Sequence, residues 1–187
     1  MLSDSTKARL REIVGSAHYF DAPEDLICHS YDATLYQALP EAVVYPGSVE
    51  EVAAIMRLAN EERFAVTPRG AGTGLSGGSL PVVGGVVMVL TRPNRIVQIN
   101  TDDLYALVEP GVITADLAAA AGRHGLLYPP DPASQAVSTI GGNVAENASG
   151  AHTLAYGVTA HHVLGLEVVL PDGAVVATGG KEPDLPG

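Results

Sequence analysis

Two glycine-rich stretches carry the residues best suited to holding a ligand. The first reads Pro68-Arg-Gly-Ala-Gly-Thr-Gly-Leu-Ser-Gly-Gly78, and the second reads Thr139-Ile-Gly-Gly-Asn-Val-Ala-Glu-Asn-Ala-Ser-Gly150. Glycine permits positive φ and lets a ligand approach bare amides, and successive amides of such a loop can point at one anion. Two such loops in one small chain indicate a large anionic ligand held at two places, such as a dinucleotide with a central pyrophosphate.

Polar side chains in both stretches can add hydrogen bonds to such a ligand. Arg69 offers a charged donor, while Thr73 and Ser76 offer neutral ones. Thr139 can cap a short helix whose N-terminal amides suit a phosphate or a ligand carbonyl, and Asn143 can bind a ring edge. The alternatives are a plain surface loop for the first stretch and a helix cap with packing glycines for the second.

The first stretch also contains the letters of a dinucleotide fingerprint, G-x-G-x-x-G, at Gly72, Gly74 and Gly77. That fingerprint requires a helix opening directly from the loop and an acidic residue about 20 positions later. The following Ser79-Leu-Pro-Val-Val-Gly-Gly85 does not propagate a helix, and position 94 is Asn. We therefore interpret this match as accidental.

Composition excludes several classes of function. A net charge of −11 argues against nucleic acid as a partner, because phosphate neutralisation needs clustered Lys and Arg. No apolar run is long enough for a membrane span. The single Cys28 cannot form an internal disulfide and favours a cytoplasmic location. The adjacent His161 and His162 cannot chelate one ion from a strand, and the other histidines have no partner at metal-ligand spacing, so no metal site is assigned. No general base can be named, so no catalytic residue is assigned either.

Local patterns predict the elements that position the two loops. A helix over 3–14 and an irregular stretch to residue 40 precede a strand at 43–45, a helix at 49–62 capped by Ser48 and Glu51, and a strand at 64–67. These last three form a small βαβ unit, and the first glycine loop leaves its carboxyl end. Further predicted elements are β runs at 85–90, 96–99 and 105–108, a helix from Ala115 capped by Thr114, and a hairpin of 163–170 with 174–178.

The order of motifs resembles the vanillyl-alcohol oxidase (PCMH-type) family of FAD-binding domains. Besides the two glycine stretches, it includes Val108-Glu-Pro-Gly-Val112 and Pro129-Pro-Asp-Pro-Ala-Ser134. Gly142-Asn-Val-Ala-Glu-Asn-Ala-Ser-Gly150 with Tyr156-Gly157 is most similar to the FAD-linked subunit of glycolate oxidase, with D-lactate and D-2-hydroxyglutarate dehydrogenases as relatives. The resemblance runs from roughly Tyr31 to Thr178.

The resemblance implies an α+β fold in which a small parallel βαβ lobe precedes a mixed or antiparallel lobe, with FAD between them. It divides the chain into an N-terminal helical and irregular segment, 1–40, and a PCMH-type FAD-binding domain, 41–187. The residues implied to contact FAD are Pro68, Arg69, Gly70, Ala71, Gly72, Thr73, Gly74, Leu75, Ser76, Pro110, Gly111, Pro130, Asp131, Ser134, Thr139, Gly141, Gly142, Asn143, Ala145, Asn147, Gly150, Tyr156, Gly157 and Val168. The first loop lacks the histidine that bonds the flavin in some relatives, so non-covalent FAD is expected.

The implied function is the FAD-binding portion of an enzyme that oxidises a 2-hydroxy acid, glycolate or D-lactate. Relatives carry a substrate domain with the catalytic histidines after the FAD domain, so this chain is expected to be C-terminally incomplete and inactive alone. Other oxidase subunits are implied as partners, with peripheral membrane association through them. The alternatives are a reductase of the same fold that uses NADPH and an inert FAD-binding fragment.

Overall fold

A computed structural model describes residues 1–179, and within them the chain forms six α-helices and eight β-strands. The helices are α1 (Asp4–Val14), α2 (Pro23–Cys28), α3 (Val49–Glu62), α4 (Thr114–Gly122), α5 (Ile140–Glu146) and α6 (Thr153–Tyr156). The strands are β1 (Tyr19–Phe20), β2 (Ala42–Val44), β3 (Val66–Arg69), β4 (Val86–Val89), β5 (Ile96–Asn100), β6 (Tyr105–Val108), β7 (Gly165–Val169) and β8 (Val175–Gly179).

The first half of the chain is built on a four-stranded sheet in the order β1-β2-β4-β3. β4 lies between β2 and β3 and is parallel to both, whereas β1 is antiparallel to β2. The run at 85–90 was expected among the elements after the loop, but its strand β4 lies in this sheet. All four residues of β4 are buried, as expected for a central parallel strand that is covered on both faces.

Helix α3 begins with the predicted capping arrangement, with one difference. Ser48 Oγ accepts from the Glu51 amide at 3.3 Å, but the Glu51 carboxylate accepts from the Gly47 amide at 2.7 Å rather than from Ser48. Ile55 and Leu58 of α3 pack against Leu10 of α1 in a core shared with the sheet. The N-terminal segment is therefore packed into this half through α1 and β1.

The second half consists of two antiparallel hairpins, β5–β6 and β7–β8, together with α4 and α5. Val112, Leu117 and Ile140 form its core. Thr114 is not the cap of α4, as the sequence analysis expected, but its first residue. It is fully buried, and its hydroxyl is used inside the core, where it donates to the Ser138 carbonyl at 3.0 Å.

The predicted β7–β8 hairpin is confirmed, and its turn contacts the first half. Arg57 on α3 donates to the Gly173 carbonyl at 3.1 Å, and Asn60 donates to the Pro171 carbonyl. These contacts hold the second half against the first.

The α+β class and the parallel-then-antiparallel order are thus confirmed. Within residues 1–179, no helix combines the length and the apolar character that crossing a membrane requires.

Candidate cofactor-binding site

A cleft of about 280 Å³ separates the loop 70–79, which leaves the carboxyl end of β3, from helix α5. It brings together the two glycine-rich stretches that the sequence analysis singled out. The residues predicted to contact FAD that line this cleft are Pro68, Arg69, Gly70, Ala71, Gly72, Thr73, Gly74, Pro110, Ser134, Thr139, Gly141, Gly142, Asn143 and Ala145.

The other predicted contact residues lie outside the lining of this cleft. They are Leu75, Ser76, Gly111, Pro130, Asp131, Asn147, Gly150, Tyr156, Gly157 and Val168. Leu75 and Ser76 are exposed on the first loop, whereas Gly111 and Pro130 are buried. Gly150 is part-exposed and its amide donates to Thr153 Oγ1, Tyr156 ends α6, and Val168 lies in β7. Their contact with a cofactor stays a prediction.

The first loop is a run of backbone donors without protein partners. Within the described residues 1–179, no backbone N–H from Gly70 to Ser79 donates a hydrogen bond to another protein atom. Backbone N–H groups are strong donors that native structures pair with protein, water or ligand. Successive free amides in a loop beside a cleft can form a concavity that binds an anion.

The N-terminus of α5 is engaged by the protein itself. Thr139 caps the helix as predicted, with its hydroxyl accepting from the Gly142 amide at 3.3 Å. The Ile140 amide donates to Val112, the Gly141 amide to Pro110, and the Asn143 amide to Thr139. Every amide of the first turn therefore has a protein partner. The fold therefore already uses these amides, and the expectation that they bind a phosphate or a ligand carbonyl stays a prediction.

Arg69 lines the cleft, but its guanidinium is held by the protein behind the first loop. Its Nη1 donates to the Tyr31 carbonyl at 2.7 Å, and the residue is only 8% exposed. Burial lowers the pKa of the Arg69 guanidinium from its ordinary value, and the negative charge of Asp32 opposes that shift. One carboxylate oxygen of Asp32 is buried without a hydrogen-bond partner among the described residues. Arg69 thus supports the loop from below and ties it to the segment around Tyr31.

Two glycines of the loop are required by this packing. Gly72 has φ of +69°, and a Cβ there would overlap the Arg69 guanidinium. A Cβ at Gly70 would overlap the Thr139 hydroxyl, so a bare glycine lets the two stretches approach each other. Non-glycine residues rarely adopt positive φ. The glycines therefore shape the cleft as well as leaving room in it.

Asn143 belongs to a buried network behind α5. Its side-chain amide donates to Thr114 Oγ1 at 2.7 Å, and the Thr114 and Ser138 hydroxyls lie 2.9 Å apart. Asn143 is only 3% exposed. The side chain therefore fastens α5 to α4, and the expected hydrogen bond to a flavin ring edge stays a prediction.

The cleft also contains residues that the sequence analysis did not select. They are Gly78, Ser79, Leu90, Ser138, Glu146 and Ala148. Glu146 matters most, because its carboxylate accepts a hydrogen bond from Ser76 Oγ at 2.6 Å. Gly78, Glu146 and Ala148 lie inside the two quoted stretches, so extending the selection to every residue there would have found them. The positions of Leu90 and Ser138 depend on strand order and on the connection before α5.

No metal centre accompanies the cleft within the described part of the chain. Residues 1–179 contain no group of three or more His, Cys, Asp or Glu side chains arranged to hold an ion. His152 Nδ1 lies 3.7 Å from the Asp131 carboxylate, and its ring stacks edge-on against Tyr156. Asp131 and Tyr156 are themselves predicted FAD contacts outside the cleft lining, and His152 lies between them in space.

Comparison with known proteins agrees with this geometry. The sequence model of the FAD binding domain matches residues 40–179. The chain is 43% identical over 182 residues to the glycolate oxidase subunit GlcD of Bacillus subtilis, covering 97% of this chain and 39% of that protein. It is 44% identical over 151 residues to a D-lactate dehydrogenase of Anaerostipes hadrus, covering 81% of this chain and 32% of that protein.

A solved structure of p-cresol methylhydroxylase with substrate bound superposes with a TM-score of 0.82 at 26% identity. That match covers 97% of this chain and 36% of the other. The chain thus spans less than two fifths of the length of this protein and of each of the two curated relatives. A family model that matches three quarters of the sequence, together with a cleft built from its two glycine stretches, establishes that the chain belongs to the FAD-binding domain family of PCMH-type flavoproteins.

Proposed function

We propose that the cleft holds FAD with its pyrophosphate on the loop 70–79. The single observation that carries this proposal is the run of backbone amides from Gly70 to Ser79 that have no protein partner within residues 1–179, on a loop whose residues 70–74, 78 and 79 line the cleft. A chain with a net charge of −11 cannot attract phosphates through bulk positive charge. Oriented amide dipoles provide local positive potential instead.

The cleft is at the small end of ligand pockets, so FAD is expected to extend beyond it. Pockets that enclose a whole small ligand have volumes of roughly 300–1,000 Å³, whereas this cleft has about 280 Å³. We propose that it takes the pyrophosphate and the adjoining sugar, because the loop with unpartnered amides lines it. We propose that the adenine extends toward Pro110 and Gly111, and the flavin toward Pro130, Asp131 and Ser134, as the family resemblance implies.

We further propose that the FAD is held without a covalent bond. No His, Cys or Tyr occurs between Pro68 and Ser79, so this loop offers no side chain of the kinds that bond flavins. The contacts that remain are amide hydrogen bonds, hydroxyl groups and van der Waals packing against glycines. Binding should then be reversible.

We propose oxidation of a 2-hydroxy acid, glycolate or D-lactate, as the activity of the protein that contains this domain. The support is the pair of relatives whose names state glycolate oxidase and D-lactate dehydrogenase. FAD supplies an acceptor for the hydride that leaves the substrate Cα. The residues described here bind and orient the cofactor, and the base is assigned to a substrate domain outside 41–187. Because the first of these relatives is called a subunit, we also propose partner chains.

Titration of FAD into the purified chain tests the binding proposal, with flavin fluorescence as the signal. The expected result is saturable quenching, with all flavin passing a size filter after denaturation. Unchanged fluorescence would contradict FAD binding, and flavin retained on denatured protein would contradict non-covalent attachment. Dye reduction by FAD-loaded protein that includes the substrate domain should respond to glycolate or D-lactate. Bleaching by NADPH instead would support the reductase alternative.

A further inference from the structure

The carboxylate of Glu146 lies in the cleft at the end of α5. Its Oε2 accepts a hydrogen bond from Ser76 Oγ at 2.6 Å, which joins the second glycine stretch to the first. Within residues 1–179, no Lys, Arg or His side chain forms an ion pair with it. An unneutralised negative charge is therefore tethered across the cleft.

The first loop makes room for this carboxylate. A Cβ added at Gly78 would lie 2.7 Å from Glu146 Oε1, and one added at Gly74 would lie 3.8 Å from it. The charge thus rests directly against the loop whose amides are free. A ligand anion on this loop would lie close to a second negative charge.

We propose that Glu146 determines affinity and specificity at the cleft: it lowers the affinity for ligands that carry phosphate, and it lowers it more as the negative charge of the phosphate rises. This inference rests on the proposed FAD site. Two unit charges about 4 Å apart in water repel by about 1 kcal/mol, which corresponds to about a fivefold change in Kd. Glu146 thereby weakens the hold on any phosphate at the loop, and it does so more strongly for a ligand of higher charge.

The variant Glu146→Gln tests the proposal because glutamine keeps the size and can still accept from Ser76. We expect FAD to bind about fivefold more tightly than to the unmodified chain. The gain for ADP should be larger, because its terminal phosphate carries additional charge. Glu12→Gln is the matched control, since Glu12 is exposed on α1 and the net charge changes equally.

Salt dependence separates repulsion from a change of shape. Screening weakens like-charge repulsion, so the advantage of Glu146→Gln should shrink as salt rises, whereas a packing effect would not. Equal or weaker FAD binding by Glu146→Gln, alongside FAD binding by the unmodified chain, overturns this inference and leaves the proposed function standing. The same gain in Glu12→Gln also overturns it. If the unmodified chain and both variants all fail to bind FAD, this inference and the proposed function are both overturned.

Discussion

Gly142→Ala should separate the stability of the domain from its ability to bind FAD. Gly142 lines the cleft in the first turn of α5. Alanine is preferred over glycine in helices by roughly 0.5–1 kcal/mol. Against this gain, the new methyl would lie 3.2 Å from Thr139 Oγ1, so the cap must shift slightly. The two effects oppose each other, and the net change in the free energy of unfolding should stay within about 1 kcal/mol.

The effect on the cofactor should be much larger than the effect on the fold. The methyl would project into the cleft, where the ligand is expected to contact bare backbone. An inserted methyl group without room costs roughly 1–3 kcal/mol, which is roughly a five- to 150-fold increase in Kd. The variant should therefore melt within about 4 °C of the unmodified chain and yet bind FAD far more weakly.

The chain offers a matched control for this experiment. Gly122 ends α4, and a Cβ there would meet no atom within 4 Å. Gly122→Ala makes the same chemical change in another helix, so it should leave FAD affinity unchanged. Thermal unfolding and FAD titration of both variants provide the measurements. Full affinity in Gly142→Ala, or equal losses in both variants, would refute the placement of FAD against α5.

Three further predictions follow from individual contacts. Thr139→Ala removes the cap of α5 and should cost about 1 kcal/mol, seen as a melting temperature lower by about 2–4 °C; an unchanged melting temperature would contradict it. Arg69→Lys keeps the charge but loses the fork that reaches the Tyr31 carbonyl, so FAD titration should show weaker binding, and equal affinity would refute the supporting role. Arg95 donates to Glu109 and holds the pKa of that carboxyl below its ordinary value, so the pair stabilises the fold above about pH 4.3 and loses this effect as pH falls through the lowered pKa. Arg95→Ala should therefore lower the melting temperature at about pH 7 but not below the lowered pKa, and a pH-independent difference would count against the pair.

Local sequence signals identified the elements that frame the site. Ser48 and Glu51 marked the start of α3, and Thr139 marked the start of α5, because capping depends on residues a few positions apart. The glycine runs marked both walls of the cleft for the same reason. Hydrogen-bond donors and small residues within one loop can be recognised without knowing the fold.

Features that depend on long-range pairing could not be predicted in this way. The insertion of β4 between β2 and β3 reflects competition among strands distant in sequence. The burial of Arg69 under Gly72 depends on the segment around Tyr31, and the engaged amides of α5 depend on Pro110 and Val112. Glu146 was visible in the sequence, but only the fold places its carboxylate against Ser76.

Backbone amide chemical shifts recorded during FAD titration would show whether the loop 70–79 holds the pyrophosphate. We expect the largest shifts at residues 70–79, whose amides have no protein partner within the described chain. The first-turn amides of α5 should shift less, because Val112, Pro110 and Thr139 already accept from them. Saturable binding with small shifts at 70–79 and the largest shifts elsewhere would contradict the claim that this loop holds the pyrophosphate.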